Sequence, residues 1–171
     1  MPDFAFMDCI AMDLSEKLSR KLENLSLMMA SAESCTGGMI AAAMTARPGS
    51  SAIFERGFVV YSNESKTESL GVPAALIREH GAVSAEAAMA MTRGAIKNSR
   101  ADIAVAVTGI AGPTGGTDAK PVGLVYIAWG YKGEDVIQCS EHRFTGDRAA
   151  IRSQTVEAAL KHLIKFVDTL A

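Results

Sequence analysis

The chain has 171 residues, 49% of them hydrophobic, enough for one compact domain with a sizeable core. Its 17 basic residues nearly balance 19 acidic ones, for a net charge of −2, so it lacks the electrostatic footprint that binds a nucleic-acid backbone or an anionic membrane. Three widely spaced cysteines, Cys9, Cys35 and Cys139, form no CxxC pair, which suits a reduced, cytoplasmic compartment better than a disulfide framework or a zinc site.

The N-terminal stretch MPDFAFMDCIAMD has acidic residues and no basic segment before its broken apolar run, which argues against a secretory signal. No apolar stretch reaches membrane-spanning length. Leu14, Leu18 and Leu22, four apart among charges, predict an amphipathic helix over 13–24. Residues 1–24 are thus read as a helical segment packed on a domain of residues 25–171. LSLMMASAE (25–33) reads as a buried strand, and Gly37-Gly38 then open a helix over 39–46 that Pro48-Gly49 stops. A second strand over 52–62 leads into NESKTESLG, where Ser62 or Asn63 caps a short helix closed by Gly71.

Pro73 starts the next helix, His80-Gly81 breaks it, and Ser84 opens an alanine-rich helix to about Ser99. ADIAVAVTG (101–109) is almost continuously apolar, as a strand covered on both faces would be. The glycine-rich loop TGIAGPTGGTDAKPVG follows. Two strands, 124–130 and 135–144, then flank a turn near Lys132-Gly133. From Asp147 a long helix carries the stripe Ile151, Val156, Leu160, Leu163, Ile164 and Val167. Alternating helices and strands closed by a hairpin imply a three-layer α/β/α domain with a mixed sheet. In such folds ligands collect where loops leave the carboxyl ends of strands, which selects residues 33–38, 61–66, 108–117 and 144–148.

Within AESCTGGM, Ser34 has two readings. A serine between strand and helix commonly caps the helix. It can also be a nucleophile, with Gly37 and Gly38 letting nearby backbone amides approach and hold an oxyanion at a helix N-terminus. Cys35 is a rival, because a thiol at that position ionises easily. The usual base is histidine, yet none of the three has a Ser/His/Asp context. His162, among Lys161 and Lys165, reads as solvated, His142 as a surface strand residue, and His80 as a helix end. Lys66 therefore becomes worth considering as a base. Alone it reads as one more solvated lysine; as a base it must shed about 3 pKa units by desolvation, at about 4 kcal/mol. Tyr61 would orient it or relay a proton, or serve as an ordinary strand aromatic. TGIAGPTGG is no Walker A motif, and the Tyr/Lys spacing does not fit a short-chain dehydrogenase. Arg148 in the first turn of the last helix opposes the helix dipole, which hints at an anion nearby.

AESCTGG, VVYSNESK, LGVP, HGAVS, AVTGIAGPTGG, KPVG and FTGDR resemble, in order, the C-terminal domain family of the competence/damage-inducible protein CinA, over residues 25 to 165. That resemblance implies nicotinamide-nucleotide amidohydrolase activity, which converts nicotinamide mononucleotide to nicotinate mononucleotide and ammonia in pyridine-nucleotide salvage. It makes Ser34 the nucleophile and Lys66 the general base, with Tyr61 assisting. Thr36, Gly37, Gly38, Thr108 and Gly109 would line the substrate pocket, and Arg148 would bind the substrate phosphate. No cofactor or metal is expected. The expected partner is the nucleotide alone, without nucleic acid or membrane, and a homodimer stays open. Larger CinA proteins carry an N-terminal domain related to molybdopterin-binding proteins, which residues 1–24 are too short to encode. Two alternatives stand beside this reading: a non-catalytic nucleotide-binding or adaptor protein linked to competence or DNA damage, and an amidohydrolase for another small carboxamide.

Overall fold

The computed structural model describes residues 9–171; the reading of the first eight residues lies outside these. Helix α1 (Cys9–Leu25) starts earlier than its leucine spacing predicted. Strand β1 (Met29–Glu33) is shorter than expected, because the helix ends through Ser26 in a left-handed turn (φ 54°) before the strand begins. Then follow α2 (Met39–Thr45), a 3-10 turn (Ser50–Ala52), β2 (Phe54–Val59), α3 (Asn63–Leu70), α4 (Ala74–His80) and α5 (Ala85–Lys97). Strands β3 (Ile103–Gly109), β4 (Leu124–Tyr131) and β5 (Gln138–Arg143) and helix α6 (Arg148–Asp168) complete the chain. Three of the caps read from the sequence are present: Ser62 accepts from the Ser65 amide, Ser84 from Ala87 and Asp147 from Ala150.

The sheet runs β2-β1-β3-β4-β5, with the first three strands parallel and the last two antiparallel. This is a mixed α/β/α sheet. Strand β1 lies between β2 and β3, so the chain leaves it in one direction and later returns on its other side. The carboxyl end of β1 is therefore a switch point, where this class of sheet opens a crevice.

Period-2 alternation divides the sheet into two unlike faces. Met29, Ile103, Val105, Val107 and Ile127 meet Leu18, Leu22, Ile40, Leu160 and Leu163 of α1, α2 and α6. Leu18 and Leu22 are fully buried, fastening α1 by about 1.5–3 kcal/mol each. The opposite face shows Ala30, Ala32, Ala104 and Ala106 to Leu70, Val72, Met91 and Ala95. These small side chains let α5 and the end of α3 settle close to the sheet. Among the described residues no helix is long and apolar enough to cross a membrane.

The closeness has one steric consequence. A Cβ on Gly94 in α5 would lie 2.0 Å from the Leu70 carbonyl oxygen at the end of α3. Alanine raises helix propensity by about 1 kcal/mol over glycine. Here overpacking against backbone should outweigh that gain, and Gly94→Ala should destabilise the fold by about 1–3 kcal/mol. Urea unfolding checks this; an unchanged or raised midpoint would contradict the contact.

Candidate active site

Ser34 follows β1 directly, and its amide donates to the Val107 carbonyl of β3 at 3.1 Å. It is not a helix cap: α2 begins five residues later, at Met39. Its hydroxyl instead meets the Lys66 Nζ at 3.2 Å. Both are buried, Ser34 at 8% exposure and Lys66 at 1%. Burial draws the Lys66 ammonium below its ordinary range, as an amine beside a serine must be if it is to take a proton. Three carbonyls also surround the Nζ: Val60 at 3.1 Å, Tyr61 at 3.3 Å and Ser62 at 3.4 Å. They can receive the N–H groups of an ammonium formed during reaction. Lys66 reaches them because Ser62 caps α3 and turns the helix's first residues back over the end of β2.

The alternative nucleophile is disfavoured by its surroundings. Cys35 is buried, and desolvation pushes its thiol up to about 12 despite the nearby amides of Cys35 and Thr36 and the charge of Arg152. A thiol so placed is protonated at neutral pH.

Glu33 was not singled out by sequence reasoning, yet it organises the loop. It is fully buried. Its carboxylate accepts from Ser31 Oγ (3.0 Å), Thr36 Oγ1 (2.7 Å) and the amides of Gly38 (3.1 Å), Ile40 (3.0 Å) and Ala41 (2.8 Å). The N-terminus of α2 is thus capped from inside the protein. The amides of the two glycines are engaged within the loop, that of Gly37 donating to the Ser34 carbonyl (3.1 Å) and that of Gly38 to Glu33. The Thr36 hydroxyl also points at Glu33 and not at a ligand. Gly37 and Gly38 serve by their positive φ values of 60° and 99°, which bend the chain around the carboxylate.

The CinA C-terminal domain family matches the sequence over residues 11–167. The chain belongs to that family. A nicotinamide-nucleotide amidohydrolase PncC from Pseudomonas putida is 54% identical over 153 residues, covering 89% of this chain and 94% of that protein. A CinA-like protein of Citrifermentans bemidjiense is 51% identical over 157 residues, yet the chain spans only 37% of its length. Among solved structures, a competence/damage inducible protein from Agrobacterium tumefaciens superposes with a TM-score of 0.90 at 44% identity, covering 93% of this chain and 96% of that one.

In this CinA C-terminal domain the remaining candidates divide between scaffold and rim. Thr108 is buried, and its hydroxyl donates to the Ala82 carbonyl at 2.7 Å, tying β3 to the segment before α5. Gly109 admits β4, since a Cβ there would lie 2.6 Å from Val125 Cγ2. Tyr61 is 61% exposed. Its phenol accepts from Arg148 Nη2 at 2.9 Å, and its backbone carbonyl accepts from Lys66 Nζ, so its described hydrogen bonds join the ring to Arg148 and the main chain to the lysine. Arg148 also donates to the Gly112 carbonyl at 2.8 Å, bracing the glycine-rich loop. Lys120 pins the other side of that loop to the carbonyls of His80 and Val83, each at 2.7 Å.

Two features escaped the sequence reading. Arg152, one turn after Arg148, donates from Nη2 to the Thr36 carbonyl at 2.8 Å, while its buried Nε has no hydrogen-bond partner among the described residues. His142 and His162, expected on the surface and in solvent, are half-buried against each other, and His162 stacks on Trp129 at 4.2 Å.

The Glu33 arrangement yields an expected result. In Glu33→Gln one carboxyl oxygen becomes an NH2 group facing backbone N–H groups that need an acceptor. The mutation should lower stability by about 3 kcal/mol, or Tm by roughly 6–12 °C. It should also lower turnover, because Ser34 is the next residue. Wild-type melting and kinetics in the variant would contradict the organising role.

Proposed function

We propose that the protein is a nicotinamide-nucleotide amidohydrolase, releasing ammonia from the carboxamide of nicotinamide mononucleotide to leave nicotinate mononucleotide. The observation that carries this is the contact between Ser34 Oγ and a desolvated Lys66 Nζ at 3.2 Å, in a chain that spans nearly all of a relative named for that activity.

In the proposed path, neutral Lys66 takes the Ser34 proton as Oγ forms a bond to the carboxamide carbon. The amides of Cys35 and Thr36, which have no backbone acceptor among the described residues and lie beside the Cys35 thiol, are the donors we assign to the oxyanion. Each such donor is worth about 3 kcal/mol in the transition state. As the tetrahedral intermediate collapses, the C–N bond breaks and Lys66 returns its proton to the departing nitrogen, giving ammonia. Water then attacks the acyl ester, Lys66 accepts a proton from it, and Ser34 leaves with that proton. Arg148 is assigned to the substrate phosphate; two of its nitrogens already hold Gly112 and Tyr61, so it is fixed in place before substrate arrives.

Ammonia release measured over a panel of carboxamides tests the reading: nicotinamide mononucleotide, its riboside, free nicotinamide, glutamine and asparagine. The mononucleotide should have the highest kcat/KM, and loss of the phosphate should cost roughly 10–100-fold. Preference for another amide would make the protein a different amidohydrolase. Binding of the nucleotide without turnover would make it a binding module.

A further inference from the structure

Outside the site above, β5 and α6 bring three heteroatoms into a closed triangle, two from the strand and one from the helix. Ser140 Oγ lies 2.8 Å from His142 Nε2 and 3.1 Å from His162 Nε2, and the two imidazole nitrogens are 3.1 Å apart. Three hydrogen bonds cannot close this triangle well. Each imidazole nitrogen has a single in-plane lobe, used either as an N–H donor or as a lone pair. If one histidine donates to the other, the serine must share a lobe already in use. A cation equidistant from the three atoms uses all three lone pairs together. Metal–nitrogen bonds of about 2.0–2.1 Å set neighbouring donors on an octahedron or tetrahedron roughly 3.0–3.4 Å apart; the two separations of 3.1 Å fall in that range, and the 2.8 Å between Ser140 and His142 is slightly shorter.

We propose that His142 and His162, with Ser140 completing the set, form a binding site for a divalent transition-metal ion of the imidazole-preferring class, such as zinc, cobalt, nickel or copper. The rings are fixed before any ion arrives: His162 stacks on Trp129 at 4.2 Å and His142 on Phe144 at 5.1 Å. Lys165, one turn beyond His162, opposes a cation. Among the described residues no third His, Cys, Asp or Glu joins them. The ion is therefore held by few ligands, exchanges with solvent and follows the order in which copper binds most tightly. Its role is a clip between the edge strand β5 and α6. In sheet order β5 lies three strands from β1, about 14 Å away, so the clip is independent of the serine chemistry.

The test is zinc and cobalt titration, followed by calorimetry, the cobalt visible spectrum and thermal melting, in a Cys9→Ser chain that removes the exposed thiol. One equivalent should bind and raise Tm by roughly 5–10 °C at a hundredfold excess over Kd. His142→Ala and His162→Gln should each abolish the shift, Ser140→Ala should weaken it, and ammonia release should not change with metal or chelator. In nitrogen-15 spectra of the unmutated chain, the Nε2 signals of both histidines should move on zinc addition, a readout that does not depend on a variant folding. No stoichiometric binding up to about 1 mM metal, binding that survives both histidine substitutions, or unmoved Nε2 signals would overturn the proposal.

Discussion

Arginine at position 66 should be as inactive as alanine there, with kcat reduced by about 10³-fold or more in both. Arginine keeps the positive charge and the capacity to donate to the carbonyls of Val60, Tyr61 and Ser62, but it cannot be deprotonated in a protein. If Lys66 only balanced charge, the arginine variant would retain substantial turnover, and that result would remove Lys66 as the base. The wild-type pH profile gives a second readout. Burial lowers the lysine from its ordinary 10.5, so kcat should fall on the acid side as the amine becomes protonated. Stability has a matching sign. The unfolded chain holds the Lys66 proton up to its ordinary range while the folded chain releases it earlier, so stability from this residue rises with pH between the lowered value and 10.5. Lys66→Met should remove that slope and, on its acid side, make the fold more stable while leaving it inactive. Circular dichroism of each variant separates lost chemistry from lost structure.

Ser34→Ala should leave the fold intact and reduce ammonia release by about 10³-fold or more, because among the described residues no other side-chain hydroxyl hydrogen-bonds the Lys66 Nζ. The deleted oxygen makes one described contact, to the lysine, while the backbone bond to Val107 survives. Cys35→Ala is the control. With its thiol held near 12, the Cys35 side chain contributes packing alone, and the alanine variant, which keeps the backbone amide, should hold turnover within a few-fold of wild type. Ample activity in the serine variant, or loss confined to the cysteine variant, would reverse the two assignments.

The parts of this protein that could be read from sequence are those whose cause is local. Ser62, Ser84 and Asp147 cap helices because a side-chain oxygen reaches an amide a few residues ahead. The stripe on α6 follows from helical periodicity. Lys66 was reached by eliminating the histidines and by family resemblance, since the desolvation that lets it act comes from packing across 32 residues of sequence. Glu33 was missed although all its partners are within eight residues. An acidic residue before a turn normally reads as solvated, and only the sheet on either side of β1 buries it. Gly94 and the His142–His162 pair have no sequence signal: one depends on a backbone contact with another helix, the other on two side chains 20 positions apart.

The central position of β1 bears on how the enzyme comes into being. Its register joins Met29 to Phe54 on one side and to Ile103 on the other, so the strand that delivers Ser34 is completed only when segments far apart in the chain have met. Long-range parallel pairing is intrinsically slow, since loop closure precedes any reward from contact. Lys66 has no dry surroundings until that closure is made. Early intermediates, however helical, would therefore be catalytically silent, and the return of activity after dilution from denaturant would act as a clock for the arrival of β3.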